Sequence, residues 1–231
     1  MLISNDHGDG TKLRGLLDDV LHIPRSDLVY YNGLNSATHR WNVVNAPPIE
    51  FGNGLIATPL PGAVGLAYMP SAEEFSLYRA SCTEFALHRY DAHRKLLGGG
   101  DVVLLLQETE LIPLPIAPDN LEYDPLTGGI LVAGHPSTYA FMIHAILRQP
   151  SPSSVMLYDP ILNLTADANT DADSLSLSGT KSEEQRGAAS LYYNNGVEIS
   201  GSSVAVRDPE SKGLYIGQVF DPFILHCKPS E

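Results

Sequence analysis

The alternation of apolar and polar positions along the chain predicts many short strands and little helix. Three stretches share one pattern. Asn53-Gly54-Leu55-Ile56-Ala57-Thr58-Pro59 leads through Pro61-Gly62 into Leu66-Ala67-Tyr68. Asn120-Leu121-Glu122-Tyr123-Asp124-Pro125 leads through Thr127-Gly128-Gly129 into Ile130 to Gly134. Ser203 to Pro209 leads through Ser211-Lys212-Gly213 into Leu214 to Gly217. Each copy is a small polar residue, a short alternating strand, a Pro-and-Gly turn and a second apolar strand, which is a β-hairpin written three times.

Further strands are expected at Leu28–Tyr31, Glu84–Tyr90, Val102–Gln107, Tyr139–Ile143 and Val155–Tyr158, with Gly98-Gly99-Gly100 as a turn between two of them. A weaker fourth copy begins at Asn5-Asp6-His7. There the turn gives way to Thr11–Leu21, whose Leu13, Leu16, Leu17, Val20 and Leu21 have helical spacing, so a short packing helix is expected near the N-terminus. Hairpins that recur with a small polar residue at the start of each inner strand suggest an all-β fold, a β-propeller of four-stranded blades. The chain has room for about four blades in a single partial domain spanning residues 1–231. Asn163 to Ser190 is rich in Ala, Ser, Thr, Asp and Gly with few apolar anchors, and is expected to be a flexible surface insertion.

Composition fits this picture. The chain has 231 residues, 20 of them Gly and 17 Pro, a turn-rich count. Net charge is −13, from 27 acidic and 14 basic residues, which disfavours binding to a phosphate backbone. No apolar stretch approaches the length of a membrane span, so membrane association is not expected. Residues Met1 to Gly10 lack the basic and apolar regions of a signal peptide. Cys82 and Cys227 have no CxxC spacing, so zinc or redox chemistry is not expected. Cys227 is either a buried thiol or half of a bridge near the terminus. Asn163-Leu164-Thr165 is a glycosylation sequon, meaningful only in a secreted chain.

The candidate chemistry lies at the strand starts. Asn5 and Asp6, Asn53, then Asp119 and Asn120 stand at matching positions of the repeat. In a propeller such positions face the axis, where carboxylate and amide oxygens form the cage that calcium prefers. Any one of them could instead be an ordinary turn residue bonded to its own backbone. Other schemes fail. GxGxxG, G-x-S-x-G and H-E-x-x-H are all absent. Asp167, Asn169, Asp171 and Asp173 imitate the start of an EF-hand, but Ala172 and Ser178 stand where that loop needs Gly and a bidentate Glu.

Several motifs occur in order along the chain: Ser4-Asn5-Asp6-His7, Val29-Tyr30-Tyr31, Phe51-Gly52-Asn53-Gly54, Asp119-Asn120 with Asp124-Pro125-Leu126-Thr127-Gly128, Gly134-His135-Pro136, and Gly201–Ala205 followed by Leu214–Phe220. Together they resemble the C-terminal part of the serum paraoxonase/arylesterase family. The resemblance implies a six-bladed propeller with its first blades absent from this chain. Without them the ring of sheets would have uncovered edges, so either the chain is an incomplete gene product, which those edges favour, or its blades close as a smaller ring. It implies hydrolysis of small-molecule lactones and aryl esters, and two calcium ions of which one site is incomplete here. Asn5, Asn53, Asp119 and Asn120 would hold the catalytic calcium, Asp6 the structural one, and His135 would line the floor of the site.

The family's usual histidine dyad and an acidic ligand match nothing in this chain, which leaves His135 and, more weakly, His7 as the base. Cys227 matches the family's terminal cysteine, whose disulfide partner lies upstream of the matched segment. The resemblance also implies a secreted or membrane-associated location. Two other readings compete: a catalytically inert propeller fragment or binding scaffold, and a sugar lactonase of the gluconolactonase/regucalcin type.

Overall fold

The computed structural model describes residues 2–5, 27–32, 37–40, 43–44, 55–58, 74–82, 84–96, 102–160, 187–220 and 222–228, with side chains from residue 75 onward except 94–96 and 102–104. The elements form an all-β chain with one helix among the described residues: β1 (Leu2–Asn5), β2 (Asp27–Asn32), β3 (Ala37–Arg40), β4 (Val43–Val44), β5 (Leu55–Thr58), β6 (Glu74–Ser81), β7 (Ala86–Leu96), β8 (Val102–Pro113), β9 (Ala117–Tyr123), β10 (Ile130–His135), α1 (Thr138–Leu147), β11 (Ser153–Tyr158), β12 (Ala188–Asn194), β13 (Ser202–Arg207), β14 (Leu214–Gln218) and β15 (Leu225–Cys227). They build four sheets, ordered β1-β2-β3, β4-β8-β7-β6-β5, β12-β11-β10-β9 and β13-β14-β15. Pairing is antiparallel except for β4, which runs parallel to β8. The chain divides into two compact units, Met1–Leu121 and Glu122–Glu231.

In the first unit, β6, β7 and β8 form the centre of the five-stranded sheet. β6 is an inner strand, and Phe75 to Ser81 are all buried. β7 and β8 pair from Ala86↔Pro113 to Leu96↔Val102, as expected of a hairpin turning near Gly98–Gly100. The glycines themselves lie outside the described residues. The strand expected from Glu84 begins only at Ala86, because Phe85 adopts the left-handed φ of 54° and turns the chain.

Two of the three expected hairpins are present, β9–β10, whose first strand runs across the boundary between the units, and β13–β14 in the second unit. Their turns are closed by the same bonds. The Asp124 N–H donates to the Gly129 carbonyl at 2.9 Å and the Asp208 N–H to that of Gly213 at 3.0 Å. The Gly128 N–H donates back to the Asp124 carbonyl and the Lys212 N–H to that of Asp208, each at 2.9 Å. Gly128 (φ 79°) and Lys212 (φ 58°) take the same left-handed position, which costs Gly nothing and Lys a modest strain. The aspartate side chains cap the turns alike. Asp124 Oδ2 accepts from Thr127 Oγ1 at 2.7 Å, and Asp208 Oδ2 from Ser211 Oγ at 2.5 Å. The Asp208 carboxyl is held below its usual range, chiefly by that Ser211 hydroxyl.

One core fills this unit. Leu131 and Ala133 of β10, Val155 of β11, Ile199, Ala205 of β13, and Leu214 and Ile216 of β14 pack together, with Leu157, Tyr192, Leu225 and Cys227 around them. Fully burying each large aliphatic side chain contributes about 1.5–3 kcal/mol. β10 is buried along its whole length, as suits an inner strand with β9 on one side and β11 on the other. Ser202 ties the two sheets together. Its hydroxyl meets the Gly134 carbonyl at 2.9 Å and the Ser154 carbonyl at 3.1 Å, and accepts the Ser154 N–H at 3.1 Å.

Four expectations are corrected or bounded. Tyr139–Ile143 is helix, not strand. Ser137 caps α1 by accepting the Ala140 N–H at 3.2 Å, and Arg148 ends it at φ 57° with its N–H on the His144 carbonyl. Neither cysteine is in a disulfide: the Cys82 thiol donates to the Pro118 carbonyl at 2.8 Å, and burial pushes the Cys227 thiol up. The last residues of the expected Asn163–Ser190 insertion belong to β12, which pairs with β11 from Ala188↔Tyr158. β5 pairs with β6. Its expected partner Leu66–Tyr68, the expected helix Thr11–Leu21 and the EF-hand-like stretch all lie outside the described residues.

Candidate functional site

The expected metal ligands fall in three places. Asn5 closes β1, in register with Asp27. Its side chain, and Asp6, His7 and Asn53 altogether, lie outside the described residues. Asp119 and Asn120 sit in β9 and are brought together. The Asn120 amide Nδ2 donates to Asp119 Oδ1 at 3.2 Å. Asp119 is only 7% exposed, and Asn120 is half-buried. A buried carboxylate demands charge or hydrogen-bond compensation, and this neighbouring amide supplies part of it.

The pair fits calcium in kind, because both residues offer hard oxygens. Among the described residues no group of three or more His, Cys, Asp and Glu is arranged to hold a metal. The expected set for the catalytic ion consists of three amides and one carboxylate, Asn5, Asn53, Asn120 and Asp119, and so is not such a group.

His135 ends β10 and is buried in the second unit at 2% exposure. Its ring stacks on Phe141 of α1, centroids 3.7 Å apart and planes 13° from parallel. Phe220 lies beyond Phe141 at 5.7 Å and also faces His144 at 5.6 Å. The Arg148 guanidinium covers the Phe220 ring at 4.7 Å, a cation–π contact. The His144 Nδ1–H donates to the Gln149 carbonyl at 2.6 Å, fixing its tautomer. The strand that His135 ends is legible in the sequence, whereas the ring contacts among Phe141, His144, Arg148 and Phe220 are not. The one available signal was Pro136-Ser137, a helix start ahead of an apolar run.

A second polar cluster lies in the first unit. His88 is buried, with Nδ1 2.9 Å from Glu108 Oε1 and Nε2 in a short contact with Glu84 Oε2. Glu84 also accepts the Ser81 hydroxyl at 2.8 Å and has Arg79 Nη2 at 3.9 Å. Partial burial works against the Glu84 charge, but the Ser81 and His88 bonds and the nearby cations outweigh it and hold its carboxyl below the usual range. These groups close the β6–β7 turn onto β8, a structural assignment. Nearby, burial pushes the Tyr78 hydroxyl up to about 12, so it stays neutral.

The arylesterase family model matches residues 3–228, nearly the whole chain. The chain belongs to the arylesterase family and is a hydrolase acting on esters. A search of curated proteins returns no match.

Proposed function

We propose that the chain is a calcium-dependent hydrolase of aryl esters and lactones, and that its four sheets are blades of a propeller. The observation that carries this reading is the buried Asp119 carboxylate bonded to the Asn120 amide, in a chain whose family cleaves esters. The antiparallel sheets and the matched turns at Asp124 and Asp208 support the blade reading.

Asn5, Asn53, Asp119 and Asn120 would hold the catalytic ion, and Asp6 a second one. When bound, calcium would supply Lewis-acid polarisation of the ester carbonyl. A set with one carboxylate would leave the ion a net positive charge. Asp119 supplies the one negative ligand, and the amide donor of Asn120 orients it. His135, or more weakly His7, would accept the proton of the attacking water.

Calcium titration of purified protein tests the ligand assignment. Asp119→Asn should lose at least one binding event while the fold, followed by circular dichroism, is kept. Unchanged calcium binding in that variant would remove Asp119 from the site.

A further inference from the structure

We infer that Phe141 is a positioning residue for His135, so that α1 belongs to the working site rather than to its packing shell. This rests on the reading that His135 serves ester hydrolysis.

Three observations meet at this ring. First, Phe141 lies almost parallel to the His135 imidazole, 3.7 Å between centroids and 13° between planes. Such a stack fixes the plane of a ring whose χ2 is otherwise broad. Second, Gly201 leaves room for it. A Cβ there would stand 3.0 Å from Cδ2 and 3.1 Å from Cε2 of Phe141, and Gly201 holds φ +68°, which suits glycine. Third, the residue beside that glycine grips the histidine's own strand, because the Ser202 hydroxyl donates to the carbonyl of Gly134 next to His135. The segment 200–202 therefore holds the backbone before His135 and clears the space for the ring that orients it. Phe220, 5.7 Å away and tilted by 34°, limits Phe141 from a further side.

Ring stacking does not change what the imidazole can donate or accept, but it decides where its nitrogens point. Catalytic groups displaced by about 1 Å lose up to about a hundredfold in rate. Phe141→Leu keeps an apolar side chain and removes the ring, whereas Phe141→Tyr keeps the ring. Gly201→Ala leaves both rings but pushes on Phe141.

The test combines phenyl acetate kinetics with NMR of the His135 ring protons. Phe141→Leu should lower kcat by about tenfold to a hundredfold with KM little changed, and should shift the His135 ring protons as the ring current is lost. Phe141→Tyr should restore both, and Gly201→Ala should move both in the direction of Phe141→Leu. His135→Gln run alongside separates the two claims. Loss of activity in His135→Gln with full kcat in Phe141→Leu overturns the positioning role and leaves the site reading standing. Full activity in His135→Gln overturns the site reading, and the positioning role with it.

Discussion

Arg207 of β13 reaches across to the turn that precedes β10 and places Nη1 3.0 Å from Oδ2 of Asp124, a carboxylate with no exposed surface. The same oxygen accepts the Thr127 hydroxyl, and Oδ1 accepts the Leu126 N–H at 3.2 Å. One buried charge thus closes its own turn and fastens it to the next sheet. Removing only one member of such a pair strands the other. Arg207→Met should therefore destabilise the protein by about 3–5 kcal/mol, read from the urea midpoint. A change below about 1 kcal/mol would show that Asp124 is satisfied by its turn alone.

Ser202 makes the corresponding polar tie through a hydroxyl. It is fully buried and serves the Gly134 and Ser154 carbonyls and the Ser154 N–H. Ser202→Ala leaves these backbone groups short of a partner in a buried site, at about 1–3 kcal/mol. Thermal unfolding of the variant checks this, and an unaltered melting temperature would refute it.

The Glu84 cluster predicts an acid limb of stability. Its folded carboxyl lies below the ordinary value of 4.5, so the folded state holds the proton less tightly than the unfolded chain. The stabilisation is complete above the unfolded value and is lost as pH falls through the folded one. Glu84 is exposed enough for solvent to screen much of the effect. The slope of stability against pH below about 4.5 should be shallower in Glu84→Gln than in the parent chain. Equal slopes would assign the acid limb to other carboxylates.

Much of this architecture is legible in the sequence because its signals are local. Asp-Pro, Thr-Gly and Lys-Gly specify their turns within a few residues, so the amino-acid pattern alone places the hairpins at Asp124 and Asp208. The same rule fails at Tyr139–Ile143. A short apolar run of aromatic and branched residues fits strand or helix, and Ser137 as a cap decides it. The roles of His88 and His144 are invisible in the sequence for a different reason. Glu108 lies on the neighbouring strand, and Phe220 lies far along the chain from His144. Only the folded chain brings such partners together. Asp119, Asn120 and His135 are identifiable as residues, but the stack beneath His135 is not.

Calcium-dependent ester hydrolysis is tested most directly by phenyl acetate hydrolysis on purified chain, first with excess calcium and then after a chelator. The proposed function predicts hydrolysis that disappears on chelation and returns when calcium is restored. Hydrolysis that persists undiminished through chelation, or none under either condition, would contradict it.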